Sequence, residues 1–280
     1  MYIGRFSHIS VLLSVLAVAF AGTTYLYTSS LSNSLLVILG FILATIDTGI
    51  GMGYGTMGTP ILLIAGFSSK NVVPAILISQ LFAASIGSIQ HRRYKNTNVL
   101  DLKGKDAKMA LTMIAFGIAG ALIAVWLAMR LSGEYINMYI GLLVVSIGIV
   151  ILLKKRATFS WTKLYILSII GGFNKAISGG GYGPVSTGGL LTIGQKIKKS
   201  VGITIFSIAI INLVGFLLYL ISGSISDYAI SLYLSIGAVL GSNIGPRITR
   251  QEKAGNNLRG MAVLIIVLGL LTLLSALKII

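Results

Sequence analysis

Cysteine is absent from the 280 residues, which excludes disulfides, thiolate metal sites and cysteine nucleophiles without fixing the compartment. Histidine and acid are nearly as scarce. Two histidines, His8 and His91, and six Asp and Glu residues cannot build the His and carboxylate clusters of a catalytic zinc site. No G-x-x-x-x-G-K-[ST] loop is present, so transport work would have to draw on a gradient or on a separate subunit. Long polar linkers are missing too; residues 154–162 form the only seam. What remains is 55% hydrophobic and 10% charged with a mean hydropathy of +0.94, far too apolar for a water-soluble domain of this size. The chain reads as a membrane protein. Its net charge of +16 sits in short loops between apolar spans, where it is a topology signal and no sign of nucleic-acid binding.

Residues 8–27 make an apolar run long enough to cross the hydrocarbon layer, either as a retained anchor helix or, given the Ala-Phe-Ala before Gly22, as a cleaved signal peptide. Further spans are expected at 72–90, 109–129, 135–153, 200–221, 228–246 and 260–277. Two segments, 34–66 and 163–194, are too long for one crossing and are broken by glycine: DTGIGMGYGTMGTPILLIAG from residue 47 and NKAISGGGYGPVSTGGLLTIG from residue 174. An offset of 128 matches Gly51, Gly53, Tyr54, Gly55 and Gly66 with Gly179, Gly181, Tyr182, Gly183 and Gly194. It also pairs Lys70 with Lys198, Ser79 with Ser207 and Gly87 with Gly215. Glycine and proline open the helix backbone. Open backbone at membrane depth is tolerated where it is buried in protein or lines a polar cavity.

Charge counting separates two topologies. If both broken segments are hairpins, eighteen basic residues from Arg5 to Arg259 share one side and only Lys70, Arg130 and Lys278 lie on the other. If both cross, the basic residues divide 11 against 10. The positive-inside rule favours hairpins, with the N-terminus cytoplasmic and the C-terminus outside. Each half then holds a hairpin and an odd number of crossings, so the halves are inverted and their glycine clusters should meet near the midplane. The expected fold is an all-α polytopic membrane protein. It has an N-terminal anchor helix and loop (1–33), then two inverted repeats (34–156 and 157–280), each a glycine-broken re-entrant helical hairpin plus three transmembrane helices.

After each cluster a helical arm should start, at about Thr56 and about Pro184, aiming unpaired N–H groups and the positive dipole end at the break. Gly51, Gly53, Gly55, Gly179, Gly180, Gly181 and Gly183 would let backbone approach an anion, with Thr56, Thr59, Ser186 and Thr187 adding hydroxyl donors. The alternative is that the glycines serve close helix packing. Asp47 and Lys175, equivalent under the offset, are the charges set well inside apolar sequence; each costs roughly 2.5–3.5 kcal/mol or more at the bilayer centre. Lys175 could attract a substrate anion and Asp47 act as a proton-sensitive gate, or the two could form a salt bridge locking the hairpins. Tyr54 and Tyr182 either donate into a cavity or stack as packing. Gln80 and Asn212 could line the pathway or bond helix to helix. His91, beside Arg92 at a span end, reads as interfacial. Ser178 in AISGG resembles an intramembrane serine nucleophile, but no histidine lies at matching depth, so the chain reads as a non-enzyme without a cofactor.

GMGYGTMGTPILLIAGFSSKNVVPAILISQ and SGGGYGPVSTGGLLTIG resemble the TauE/SafE type of sulfite exporter, also called the toluene sulfonate uptake permease family, from about Ser34 onward. Two features depart from the pattern: Tyr54 and Tyr182 replace a motif glycine, and Gly188 stands opposite Pro60. The resemblance implies transport, commonly export, of sulfite or organosulfonates across the cytoplasmic membrane. The residues alone point to a small anion at a midplane site in a lipid-embedded carrier working by alternating access, with a homo-oligomer among the arrangements allowed. Its alternatives are a passive anion channel and a non-transporting membrane scaffold.

Overall fold

A computed structural model describes residues 33–153, 160–192, 194–250 and 258–279, with the side chains of Thr192, Leu258 and Arg259 not described. The expected first span, Arg5, the basic residues of 154–156, Lys253 and the Arg259 side chain lie outside the described part. Within it every regular element is a helix: α1 (Asn33–Ile50), α2 (Tyr54–Ile64), α3 (Ser69–Arg93), α4 (Lys105–Ala128) and α5 (Gly133–Leu153) in the first half. The second half holds α6 (Trp161–Ser178), α7 (Tyr182–Thr192), α8 (Ile197–Ile221), α9 (Ala229–Gly241), α10 (Gly245–Arg250) and α11 (Leu258–Ala276). Six helical stretches are long and apolar enough to cross a membrane, α9 and α10 counting as one. Large apolar side chains such as Ile89, Ile123, Trp126, Leu142 and Val150 stay exposed around the outside, as a lipid-facing surface requires.

Both glycine-broken segments fold back on themselves. Gly53 lies against Ile46 and Gly58 against Leu43, so α2 retraces α1. In the second half Gly181 meets Asn174, Gly171 meets Tyr182, and Gly189 meets Leu167. The short return helix α2 is buried along nearly its whole length, from Tyr54 to Leu63, which its uniformly apolar sequence allows. Both return helices begin at the tyrosine, two residues before the expected starts, because the last non-helical residues are Gly53 (φ 125°) and Gly181 (φ 83°). The expected span 228–246 is split by a turn at residues 242–244. Pro246 is the reason: it has no N–H to give the Ser242 carbonyl, and its ring would strike that carbonyl.

Packing joins the halves reciprocally. α4 packs on α6 and α9 on α1. In the first pair Gly172 lies against Gly117 and Gly120 against the Ile169 carbonyl. In the second, Gly237 lies against the Val37 carbonyl and Gly241 against that of Phe41. Small residues bring backbones together this closely where lipid offers no hydrophobic drive between helices. α3 and α8 cross antiparallel, with Gly215 on Leu77 and Gly87 on Ile205. α5 and α11 do the same, with Gly141 on Leu273 and Gly269 on Val145. In each antiparallel pair the offset of 128 turns one contact into the other.

The loops sort to two ends. At one, Lys199 pairs with Asp106 (2.9 Å), Asn96 reaches the Pro246 carbonyl (3.1 Å), and Arg250 stands 5.9 Å over the Tyr94 ring. At the other, Asn71 bonds Ser226 (2.9 Å) and Lys278 pairs with Glu134 (2.8 Å). Lys70 shares a cavity with Met129 and Gly223 at that second end.

Candidate functional site

The two breaks, residues 51–53 and 179–181, interlock at the middle of the molecule. Gly51 (φ 79°), Gly53, Gly179 (φ 72°) and Gly181 all take left-handed backbone that side chains avoid. Contact between the tips is backbone on backbone: a side chain on Gly55 would strike the Gly179 carbonyl and Gly180, and one on Gly183 would strike the Gly51 carbonyl and Met52. Those two contacts are again one contact seen twice. Hydroxyls tie the tips: the Gly181 N–H donates to Thr56 Oγ1 (3.3 Å), and Thr187 Oγ1 donates to the Gly51 carbonyl (2.8 Å). Thr59, the counterpart of Thr187, faces Gly179 and makes no hydrogen bond.

The buried charges sit on either side of this crossing, with Gln80 between them. Lys175 Nζ donates to Gln80 Oε1 and to the Gly179 carbonyl. Gln80 Nε2 donates to Asp47 Oδ2 (2.6 Å), and Asp47 Oδ1 accepts the Tyr54 N–H (3.3 Å). Asn212, opposite on α8, reaches Gln80 Oε1 at 3.5 Å. Lys175 is 1% exposed, Asp47 and Gln80 2%, so the chain of bonds is sealed from solvent. A direct salt bridge was one expectation; an amide relay stands there instead. Helix ends help hold both charges. Lys175 lies in the last turn of α6, at the negative end of its dipole, and the Asp47 carboxylate caps the positive N-terminus of α2.

Most expected amide donors are satisfied inside the protein in this conformation. Asp47 takes Tyr54 N–H, Ser178 Oγ takes Gly180 N–H (3.1 Å) and Thr56 takes that of Gly181. Buried N–H groups demand partners, and a closed hairpin pair supplies them from its own side chains. Tyr54 and Tyr182 are fully buried. Tyr54 turns its hydroxyl toward Ser79 and Tyr182 toward Ser186 and Ser207, neither with well-aligned hydrogen-bond geometry. Ser186 Oγ and Asn212 Oδ1 likewise lack partners.

The partners of His91 were not legible in the sequence, and Tyr219 was passed over. His91, in the last turn of α3 beside Arg92, is fully buried within the protein: Nε2 lies 2.8 Å from the Thr48 carbonyl and Nδ1 3.0 Å from Asn96 Nδ2. Because the Asn96 amide also donates to the Pro246 carbonyl, Nδ1 must accept, and the ring is neutral with its proton on Nε2. Tyr219 donates to the Ala176 carbonyl at 2.9 Å. Applying the offset of 128 to His91 lands on Tyr219, a signal present in the sequence and unused.

Among the described residues no three His, Asp or Glu side chains group to hold a metal. No solved structure matches the chain. It is 25% identical over 197 residues to "Probable membrane transporter protein YtnM" of Bacillus subtilis (strain 168), covering 65% of this chain and 63% of that relative, less than two thirds of its length. The family model described as "Sulfite exporter TauE/SafE" matches residues 36–273, a stretch holding both hairpins and the relay between them, and by that match the chain belongs to the TauE/SafE sulfite exporter family.

Proposed function

We propose that this chain is a secondary transporter of a small anion, sulfite or an organosulfonate, that binds where the two hairpins cross. The observation that carries the proposal is Lys175: a fully buried ammonium at the crossing of two open-backbone tips, held by acceptors that an anion can replace. The substrate would displace the Gln80 and Gly179 oxygens from Lys175 and recruit N–H groups of Gly180, Gly181 and Gly183. Thr56, Ser186, Tyr54 and Tyr182 would complete the shell; the two tyrosines and Ser186 hold hydroxyls without partners. Gly51, Gly53 and Gly55 give the opposing tip the close approach this needs, and Gln80 and Asn212 line the way. Asp47, joined to Lys175 through Gln80, would register occupancy and act as the gate. The family assignment supports a transporter and not an enzyme; export direction and sulfur chemistry rest on the family's description.

Alternating access follows from two inverted repeats, residues 34–156 and 157–280. The antiparallel crossings of α3 with α8 and α5 with α11 support inversion, since equivalent helices related by an axis along the membrane normal would run parallel. Under the positive-inside rule the end bearing Arg92, Lys95 and Lys199 is cytoplasmic. The hairpins are then re-entrant, the first from outside and the second from inside. Interlocked tips favour a carrier over a passive channel, because an open pore would need them apart in the resting state.

Labelled sulfite flux in vesicles tests the proposal. Wild-type protein is expected to show saturable flux accelerated by counterflow, and Lys175→Ala and Gly181→Leu to abolish it. Flux unchanged in both variants would remove the site. No thermal shift with sulfite, sulfate, thiosulfate, sulfonates or phosphate would favour a scaffold.

A further inference from the structure

Two cavities lie toward opposite ends of the molecule. The first, about 390 Å³, is lined by Arg92, Lys95, Asn96, Asn98 and Lys199 among others. The second, about 310 Å³, is lined by Lys70, Ile177, Tyr219, Ser224 and Ser226 among others. The offset of 128 carries Asn96 to Ser224 and Asn98 to Ser226, so the cavities occupy equivalent places in the two halves.

Beside each, one side chain reaches across to a backbone carbonyl on a hairpin. Behind Asn96, His91 donates to Thr48 O (2.8 Å); in the wall of the second cavity, Tyr219 donates to Ala176 O (2.9 Å). Thr48 follows Asp47 and Ala176 follows Lys175, so both bonds pin the residue after a buried charge. The offset of 128 turns one bond into the other while exchanging imidazole for phenol. A pair of unlike side chains making one contact twice, each beside a cavity and on the residue after a buried charge, is not explained by packing needs of either half alone.

We propose that His91 and Tyr219 are paired seals. Each closes the way from its own cavity to the buried charges by fastening a hairpin to the long helix that follows it. Opening one while the other holds would expose the charges to a single face. This rests on reading the hairpin crossing as a transport site.

The cysteine-free sequence makes the test direct. Ser178→Cys puts a lone thiol at the second break, and a charged maleimide too polar to cross the bilayer is added to right-side-out or inside-out vesicles. His91→Phe is expected to speed labelling from one face and Tyr219→Phe from the opposite face. Each gain should be about five- to tenfold, the shift that one net hydrogen bond carries. His91→Gln, which keeps a donor, should return labelling toward the parent rate. The proposal is overturned if both variants open the same face or if neither alters labelling. Tyr219→Phe removes only a hydroxyl, so the test survives a folding defect at residue 91. Sulfite flux in parallel vesicles that keep Ser178, with and without the changes at residues 91 and 219, separates the two readings. Face-specific labelling without flux retires the anion site and keeps the seals, whereas flux with unmoved labelling retires the seals.

Discussion

Gln80 lets one amide serve two buried charges at once, its oxygen facing Lys175 and its nitrogen facing Asp47. A leucine of similar volume would leave an ammonium short of an acceptor and a carboxylate short of a donor. Breaking such an arrangement from one side costs about 3–5 kcal/mol. Gln80→Leu should therefore lower the thermal midpoint in detergent well below that of wild type, and the double variant Asp47→Asn with Lys175→Met should recover part of the loss. Equal midpoints for Gln80→Leu and wild type would show that the relay bears no weight. The two charges were legible in the sequence because each interrupts an apolar run. Gln80 was read as pathway lining or as a helix-to-helix bond, and its service to both charges at once stayed hidden because it depends on the crossing of three elements. The partner of His91 was hidden for a related reason. Its partner Thr48 is 43 residues away on another helix, and nothing next to His91 in the chain displays that carbonyl.

At the scale of elements, the hairpins depend on glycine in two distinct ways. At the breaks four glycines supply left-handed backbone, whereas Gly55 and Gly183 supply room for the opposing tip. The contact each makes is with backbone, which cannot swing aside as a flexible side chain can. Gly55→Ala and Gly183→Ala should each cost about 3 kcal/mol, the upper part of the overpacking range, and should act alike because they are the same contact. Gly188 offers the contrast: a Cβ there meets nothing within 4 Å. Gly188→Ala in the interior of α7 should stabilise by about 0.5–1 kcal/mol through helix propensity. Melting curves of the three variants decide the matter, and a Gly188 variant as damaged as the other two would undo it. Both breaks could be read in advance from G-x-G-Y-G. The start of each return helix at tyrosine could not, since only the φ of the preceding glycine sets it. The break before Pro246 was missed because that run was read by hydropathy alone.

Taken as a whole, the molecule has two ends of unequal charge. Arg92, Lys95, Lys199 and Arg250 gather at one, while Lys70 and Lys278 lie at the other, the latter neutralised by Glu134. This grouping matches the division that the hairpin topology draws from sequence, which was legible because loop charge depends on no tertiary detail. If the charge-rich end is cytoplasmic, single cysteines report it without interference from native thiols. Asn98→Cys should label only from the cytoplasm and Ser132→Cys only from outside. The decisive pair is Ser160→Cys and Gln195→Cys, which flank the second hairpin. Segments that enter and leave on one side put both thiols on the cytoplasmic face; a segment that crosses puts them on opposite faces. Asn33→Cys and Phe67→Cys ask the same of the first hairpin and should both label from outside. Opposite-face labelling for either pair would make the two halves parallel or mixed in sense. That result would take with it the rocking of one inverted half against the other on which alternating access depends.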